Sequence, residues 1–311
     1  PPVDKTEKAA ESAKPGQIGS SEQQTLTLQR TLDLAVQHHS AGDLHKAERI
    51  YQQILETNPN HSDALHLLGV ISHQMGENDR ATDLITKALA IKPDYAEAYS
   101  NLGLALQDLG RLEEAVTNYQ KAIDIKPNYS EAHYNLGISF KELGHLDEAV
   151  ASYLKTHTFK PDHAKAYNNL GLVLKSLGKP EEAIANYNKA LTFKPNFAEA
   201  HSNLANEFKE LGQLDEALAH YHKAIDIQPD YAEVYSNLGV AVQELGQLKE
   251  AVTYFQKAIN IRPDYAEAHS NLGNSLQGLG KLDEAVVNYN QAIDIKPDYA
   301  EAYSNLGLAL Q

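Results

Sequence analysis

The sequence predicts an all-α fold, a right-handed α-solenoid superhelix of stacked helix-turn-helix units. Proline recurs at one constant interval from Pro59 to Pro297, and glycine keeps the same interval from Gly42 onward. Proline stops a helix and glycine adopts the left-handed conformation that ends one, so each unit is expected to hold two helices. The segment Ile91–Gln107, IKPDYAEAYSNLGLALQ, also recurs unchanged at Ile295–Gln311.

The repeats divide the chain into a tail and an array. Residues 1–25 contain almost no large apolar side chain, and a segment of this composition cannot bury enough surface to offset its conformational entropy. We therefore expect a flexible N-terminal tail there and the array over 28–311. Counting by the prolines gives eight full units and a partial first helix: 28–61, 62–95, 96–129, 130–163, 164–197, 198–231, 232–265, 266–299 and 300–311.

The third unit shows how each helix is expected to start and stop. The spacing predicts helix A over 96–109 and helix B over 112–125. Asp94 and Glu97 have the D-x-x-E spacing of a capping box, in which both side chains satisfy N–H groups at a helix start. Further pairs repeat this spacing: Asn128/Glu131, Asn196/Glu199, Asp230/Glu233, Asp264/Glu267 and Asp298/Glu301.

Apolar and small residues fall at helical spacing within the units. In the third unit they are Tyr99, Leu102, Gly103, Leu106, Ala115, Tyr119 and Ala122. These positions match the pattern W-x2-L-G-x2-Y…A-x3-F…A…P, with Tyr for Trp, Leu for the first Tyr and Tyr for Phe. The chain therefore resembles the tetratricopeptide repeat (TPR) family over residues 28–311. The first two units match least well, with Ala35 in the small position and Ile85 in the aromatic one.

The composition excludes several classes of function. The formal net charge of −15 argues against nucleic acid as a partner, because phosphate binding needs a basic surface. No apolar run reaches the roughly 18 residues of a membrane span. Cysteine is absent, which excludes disulfides, thiol catalysis and cysteine-ligated metals. Without a catalytic constellation or a glycine-rich phosphate loop, the chain is expected to be no enzyme and to hold no cofactor or metal.

The histidines occupy packing positions rather than a ligand cluster. His133, His201 and His269 take the first aromatic slot of alternate units, which tyrosine fills in the others. We expect them to pack between helices. The alternative is a pH-sensitive row, since unperturbed histidine titrates near about pH 6.5. His220 and His222 are two residues apart on one helix and point in different directions, which is poor geometry for a metal.

A row of asparagines beside the leucine of helix A is the main candidate for function. Asparagine is a mediocre helix former, and capping does not explain it in mid-helix. Each amide either bonds across to the neighbouring unit and fixes the stacking, or lines the concave face and offers donors and acceptors to an extended peptide. The row consists of Asn101, Asn135, Asn169, Asn203, Asn237, Asn271 and Asn305.

A narrower resemblance supports the second interpretation. The repeated N-L-G/A signature resembles the TPR superhelix of O-linked N-acetylglucosamine transferase and bacterial TPR proteins. In that family an asparagine ladder holds substrate peptides by their main chain, which implies the same role for this row. Asp33 and Leu67 depart from the row in the first two units. Neighbouring positions are expected to line the same groove: Ser100, Ser202, Ser236, Ser270, Lys141, Lys175 and Lys209. The three lysines favour a ligand with some acidic character.

The leading hypothesis is a non-enzymatic protein–protein interaction scaffold that binds extended peptides. One alternative is the substrate-recognition arm of a larger transferase that continues past Gln311. Another is a self-assembling protein whose copies stack end to end into filaments. The expected partners are therefore a protein, a peptide or a second copy. The sequence does not determine the compartment: the cytoplasm is the commonest location, and a processed start at Pro1 is compatible with secretion. The sequons at Asn60 and Asn128 matter only in secretion.

Overall fold

The computed structural model describes residues 20–311, with side chains from residue 27 onward. This part of the chain contains seventeen α-helices and no strand, which confirms the all-α prediction. The helices are α1 (Ser20–Ser40), α2 (Leu44–Thr57), α3 (Ser62–Gln74), α4 (Asn78–Ile91), α5 (Ala96–Asp108), α6 (Leu112–Ile125), α7 (Ser130–Glu142), α8 (Leu146–Phe159), α9 (Ala164–Ser176), α10 (Pro180–Phe193), α11 (Ala198–Glu210), α12 (Leu214–Ile227), α13 (Ala232–Glu244), α14 (Leu248–Ile261), α15 (Ala266–Gly278), α16 (Leu282–Ile295) and α17 (Ala300–Ala309).

The start of the first helix lies inside the segment for which the sequence predicts a tail. Helix α1 begins at Ser20 and is 21 residues long, whereas the later odd-numbered helices have at most 13 residues. Residues 20–25 are therefore helical. The rest of the predicted tail, 1–19, lies outside the described residues.

Glycine ends the odd-numbered helices as predicted. The eight glycines between the two helices of a pair all have φ between +72° and +80°, a conformation that costs other residues energy. At the end of α5, Gly110 N–H donates to Gln107 O and Arg111 N–H donates to Leu106 O, both at 2.9 Å. This pair of bonds is the Schellman motif, which satisfies the last carbonyls of the helix.

The predicted capping boxes are wrong. Tyr95 is the N-cap of α5, and it makes no side-chain cap bond, as is true of the other tyrosine N-caps. The turn after Pro93 places Asp94 one residue too early, so its carboxylate does not cap the helix. Among the described helices, side-chain caps come from His61 and His163, whose rings accept from Ala64 N and Ala166 N.

Four of the six glutamates of the predicted capping boxes form ion pairs with a basic residue at the end of the following helix. Lys126 is the C-cap of α6, and its Nζ lies 2.9 Å from Glu97 Oε1 at the start of α5. The same pairing joins Lys160 to Glu131, Lys296 to Glu267 and Arg262 to Glu233. These side chains are about half exposed, so each pair contributes roughly 0–1 kcal/mol. The glutamates therefore tie the start of one helix to the end of the next.

The helices form hairpins that stack on one another. The chain separates into two compact units, residues 1–127 and 128–311. In each, every odd-numbered helix packs along the even-numbered helix that follows it, and α17 packs on α16. Even-numbered helices also pack on the next odd one, as α4 does on α5 and α10 on α11. Stacked hairpins of this kind define the α-solenoid class, as the sequence predicts.

In all hairpins but one, a small residue meets a buried aromatic ring where the two helices are closest. A Cβ added to Gly171 of α9 would lie 2.5 Å from Tyr187 Cε1 of α10, a distance that real Cβ atoms do not reach. Tyr187 is fully buried, as are the tyrosines or phenylalanine in the same slot of the other second-unit hairpins. In the hairpin of α3 and α4, Ile85 takes the place of the aromatic ring and meets Gly69. The packing prediction is therefore confirmed.

Shortening Leu204 should destabilise the array locally. Leu204 is fully buried against Leu170 and Tyr187, so Leu204→Ala should lower the free energy of unfolding by roughly 2–5 kcal/mol. Leu154, 52% exposed on α8, is the control, and Leu154→Ala should change it by less than about 0.5 kcal/mol. Because hairpins contact mainly their neighbours, hydrogen exchange should accelerate first in α9 to α12. Equal acceleration in all helices of the second unit would contradict this.

Candidate functional site

The asparagine row lies on the odd-numbered helices. Asn101 lies in the first compact unit, residues 1–127. The other six lie in the second compact unit, residues 128–311: Asn135, Asn169, Asn203, Asn237, Asn271 and Asn305. All seven side chains are half-buried. Two residues along a helix correspond to a rotation of about 200°. Asn169 therefore points away from Gly171, where α9 meets α10, and the row lies on the side of the odd-numbered helices that is turned away from their hairpin partners.

Four members of the row bond to the preceding odd-numbered helix. Asn169 Nδ2 donates to Tyr134 Oη at 3.2 Å, and Asn203 Nδ2 donates to Asn168 Oδ1 at 3.0 Å. Asn237 Nδ2 donates to Asn206 Oδ1 at 3.2 Å. In the first unit, Asn101 Nδ2 lies 2.8 Å from His66 Nε2. The interpretation that the amides fix the stacking of hairpins therefore holds at these four positions.

These bonds use only part of each amide. A primary amide has two N–H donors and a carbonyl oxygen with two lone pairs, and the bond across to the neighbouring helix takes one N–H. At Asn169, Asn203 and Asn237 the bonding atom is Nδ2 in every case, so the carbonyl oxygen Oδ1 stays outside these contacts. The structural role thus fixes the orientation of the amide and leaves its acceptor for another group.

The four serines predicted to line the groove are buried. Ser100, Ser202, Ser236 and Ser270 are each at most 5% exposed, so they offer almost no surface to a ligand. The tyrosine that precedes the next odd-numbered helix covers them: Tyr231 lies beside Ser202, and Tyr265 lies beside Ser236. These serines belong to the contact between hairpins, and their contact with a peptide stays a prediction.

The three lysines do not form a free basic surface. Lys175 Nζ lies 2.9 Å from Glu207 Oε1 and 2.8 Å from Glu210 Oε1, so two carboxylates surround one ammonium group. Burial acts to lower the pKa of Lys175, but the hydrogen bonds to Glu210 and Glu207 outweigh it and the pKa is raised. Lys141 and Lys209 are half-buried in the last turns of α7 and α11. Because Lys175 is already paired with two carboxylates, it gives no reason to expect an acidic ligand.

Three polar residues beside the row were not predicted from the sequence. Glu207 is 2% exposed and occupies a slot that Val173 fills in the preceding repeat and Ala241 in the following one. A charged residue in an apolar slot of the repeat was the signal that could have revealed it. Asn206 accepts from both Asn237 Nδ2 and Tyr221 Oη, and His66 bonds to Asn101. Asn206 also departs from its slot, which holds Leu172 and Val240 in the neighbouring repeats. The partners of Asn206 and His66 lie on other helices, so the sequence does not indicate them.

The predicted packing role of the histidines agrees with their burial. His133, His201 and His269 are each at most 8% exposed. Among the described residues, no cluster of three or more His, Asp or Glu side chains could hold a metal ion. In the same part of the chain, the helices are too short or too polar to cross a membrane.

Stacked helical hairpins that are joined by hydrogen bonds from asparagine amides are typical of helical-repeat interaction scaffolds. Family models described as TPR repeat match residues 106–144, 139–178, 205–246, 243–280 and 278–311. Models described as tetratricopeptide repeat match 38–105, 164–197 and 186–219. The chain belongs to the tetratricopeptide repeat family, whose members are typically non-catalytic and bind other proteins.

Solved structures of the same class resemble the chain at modest sequence identity. The APC/C hetero-tetramer Cut9–Hcn1 matches with a TM-score of 0.65 and 18% identity over 86% of this chain. The chain spans about half of that relative, 53%. PilF of Pseudomonas aeruginosa matches with a TM-score of 0.62 and 20% identity over 68% of this chain and 97% of its own. YrrB matches with a TM-score of 0.50 and 27% identity over 59% of this chain and 95% of its own. The curated proteins contain no match.

Acid should weaken the first unit through His66. His66 Nδ1 lies 2.9 Å from Tyr95 Oη, and burial lowers the pKa of His66 from 6.5 to about 4. The unfolded chain therefore binds more protons than the folded one between these values, so the free energy of unfolding falls as pH drops from 6.5 towards 4. His66→Gln keeps a donor and an acceptor without the titration. Urea unfolding at pH 7 and 4.5 should show a smaller loss in this variant, by on the order of 2 kcal/mol. Equal losses would exclude His66 as the cause.

Removing Lys175 should cost stability because it leaves Glu207 buried without its cation. Loss of one partner of a fully buried pair costs roughly 3–5 kcal/mol, and the 34% exposure of Lys175 reduces the expectation for Lys175→Met to about 1–3 kcal/mol. The double variant Lys175→Met/Glu207→Leu should recover most of this loss in chemical unfolding. A double variant that is less stable than Lys175→Met would show that Glu207 is stabilised by something other than this lysine.

Proposed function

We propose that the chain is a protein-interaction scaffold that binds extended peptides along the asparagine row of its second unit. The observation that carries the proposal is the geometry of the amides. Asn169, Asn203 and Asn237 each donate one N–H to the preceding odd-numbered helix and keep the carbonyl oxygen outside that bond. A row of fixed acceptors suits a ligand that presents donors at regular intervals.

An extended peptide is the ligand class that fits this row. Every residue of a peptide except proline carries one N–H donor and one C=O acceptor, which a helix or sheet would satisfy internally. In the extended state these groups are open to a second chain, and a primary amide can pair with both. Because the orientation of each amide is fixed before binding, little side-chain entropy is lost on association. The row would therefore read the main chain and leave the choice of sequence to neighbouring side chains.

The similar proteins support this assignment. The structure of YrrB is described as that of a TPR protein with an unusual peptide-binding site, and YrrB is 27% identical over 59% of this chain. Asparagine also recurs at each unit from the third onward, although it is a mediocre helix former. A purely structural bond would require it only where a partner exists. Among the described residues, the amides of Asn271 and Asn305 make no side-chain hydrogen bond, and the asparagine is nevertheless present.

The charges beside the row favour a ligand of little net charge. Lys175 is held by Glu207 and Glu210, so the middle of the row has no free cation at this position. Affinity should therefore depend weakly on salt, since screening acts mainly on exposed charges.

Replacing the amides should weaken peptide binding. The probe is a phage-displayed library of short random peptides, with the affinity of selected binders measured by fluorescence anisotropy. Asn169→Ala, Asn203→Ala and Asn237→Ala combined should lower the binding free energy by about 0.5–1.5 kcal/mol per hydrogen bond. Unchanged affinity for every selected peptide would leave the row with a structural role alone.

Tyr134→Phe is the matched control for Asn169. It removes the acceptor of the Asn169 bond and leaves the amide in place. The free energy of unfolding should fall by about 0.5–1.5 kcal/mol, as for the loss of one hydrogen bond. Peptide affinity should change less than in Asn169→Ala. If both variants lose affinity equally, the amide acts through stacking and does not contact the peptide.

A further inference from the structure

A pair of imidazoles lines a cavity on another side of the second unit. His201 lies in the first turn of α11, and His220 lies on α12. Both face a cavity of about 620 Å³ that Leu191 and Pro195, from α10 and the segment after it, also line. His201 is two residues from Asn203, which rotates it about 200° away from the asparagine row. The cavity is therefore separate from the proposed peptide surface.

The hydrogen bonds determine which nitrogen of His201 carries the proton. His201 Nε2 lies 3.1 Å from the carbonyl oxygen of Pro195, which can only accept, so Nε2 carries the hydrogen. In the neutral ring Nδ1 then holds a lone pair. His220 Nδ1 lies 2.9 Å from it and donates the bond between the two rings. A backbone carbonyl that holds the remote N–H of an imidazole is the arrangement that orients histidine as a metal ligand.

We propose that His201 Nδ1 and His220 Nδ1 form a two-imidazole site for a divalent transition-metal ion, with Cu²⁺ the preferred one. The two Nδ1 atoms lie 2.9 Å apart as hydrogen-bond partners, so a turn of each ring directs both at one ion. Imidazole is a ligand for several divalent ions, and Cu²⁺ binds nitrogen ligands most tightly among the first-row divalent ions, which makes it the preferred one.

Metal binding requires His220 to change its tautomer. His220 Nδ1 releases its proton to solvent while Nε2 takes one up, so the ring stays neutral. Both rings then turn so that their Nδ1 lone pairs point at the ion, and water fills the remaining positions. Both rings are available in the neutral form that a metal requires: burial lowers the pKa of His201, and it lowers that of His220 to about 4. No proton therefore has to be displaced from an imidazolium at pH 7.

Two charged groups line the same cavity. Lys223 lies near both rings, where its charge opposes a cation and also lowers their pKa values. Asp226 lines the cavity with the opposite charge. The site is thus predicted to bind more tightly when Lys223 is neutralised, which gives the proposal a test in the direction of increased affinity.

The chain contains its own single-imidazole control. His269 occupies the place of His201 two repeats further along, and its Nε2 lies 3.0 Å from the carbonyl oxygen of Pro263, as in the first site. At the position that corresponds to His220 stands Asn288, whose Oδ1 lies 3.3 Å from His269 Nδ1. The repeat therefore accepts asparagine at this slot without loss of the fold. His220→Asn reproduces that native pair, and Asn288→His should build a second two-imidazole site.

The test is a titration of the full chain with Cu²⁺ at pH 7.5, with glycine as a weak competitor that suppresses binding by single surface imidazoles. The wild type should bind one equivalent of Cu²⁺ in the presence of glycine. Its electron paramagnetic resonance spectrum should show hyperfine splitting from two nitrogen ligands. His220→Asn should weaken binding about tenfold or more, since even the loss of an outer partner of a ligand costs roughly 10–100-fold. Lys223→Gln should strengthen it, and Asn288→His should add a second equivalent.

The control variant is His222→Asn, at an exposed histidine two residues from His220. It should bind as the wild type does. Circular dichroism establishes that each variant is folded. An affinity of His220→Asn within twofold of the wild type would overturn the proposal. So would equal losses in His222→Asn and His220→Asn, or the absence of a second equivalent in Asn288→His.

Discussion

The close approach of two helices at each hairpin is the constraint on which the other contacts depend. Gly171 meets Tyr187 with no room for a Cβ, and a glycine meets a tyrosine or phenylalanine in the same way in most other hairpins. Ala205 takes this slot against Tyr221, so that hairpin accommodates one methyl group beside the ring. Successive odd-numbered helices lie within reach of one short side chain, as the 3.0 Å bond from Asn203 Nδ2 to Asn168 Oδ1 shows. The asparagines use this spacing to bond from one hairpin to the next.

Polar residues at the contacts between hairpins serve specificity as well as stability. A buried amide, imidazole or carboxylate needs a partner, so Asn203 with Asn168, His66 with Asn101 and Glu207 with Lys175 each fix one register of stacking. Apolar contacts alone would tolerate small shifts between hairpins. The amides add a second property, since the bond that fixes the register also fixes the orientation of the carbonyl oxygen. Architecture and the proposed recognition of a peptide are thus carried by the same side chain.

Differences between repeats indicate where individual functions reside. The pair His201 and His220 differs from His269 and Asn288 by one residue in an otherwise shared arrangement, and Glu207 replaces an apolar residue of the neighbouring repeats. A solenoid accepts such changes because each hairpin contacts mainly its neighbours, so the effect on stability stays local. The common slots therefore describe the scaffold, and the departures from them describe the sites.

The sequence by itself determined the helices, their ends and the buried slots, because these depend on residues within one repeat. Gly110 ends α5 through its own φ angle, and Gly103 and Tyr119 belong to the same hairpin and are close in the sequence. Side-chain partners on other helices were decided by the tertiary structure. Glu97 pairs with Lys126 instead of capping α5, and Ser202 is covered by Tyr231. Distances between side chains of different helices depend on the separation and rotation of those helices, which local sequence patterns do not contain.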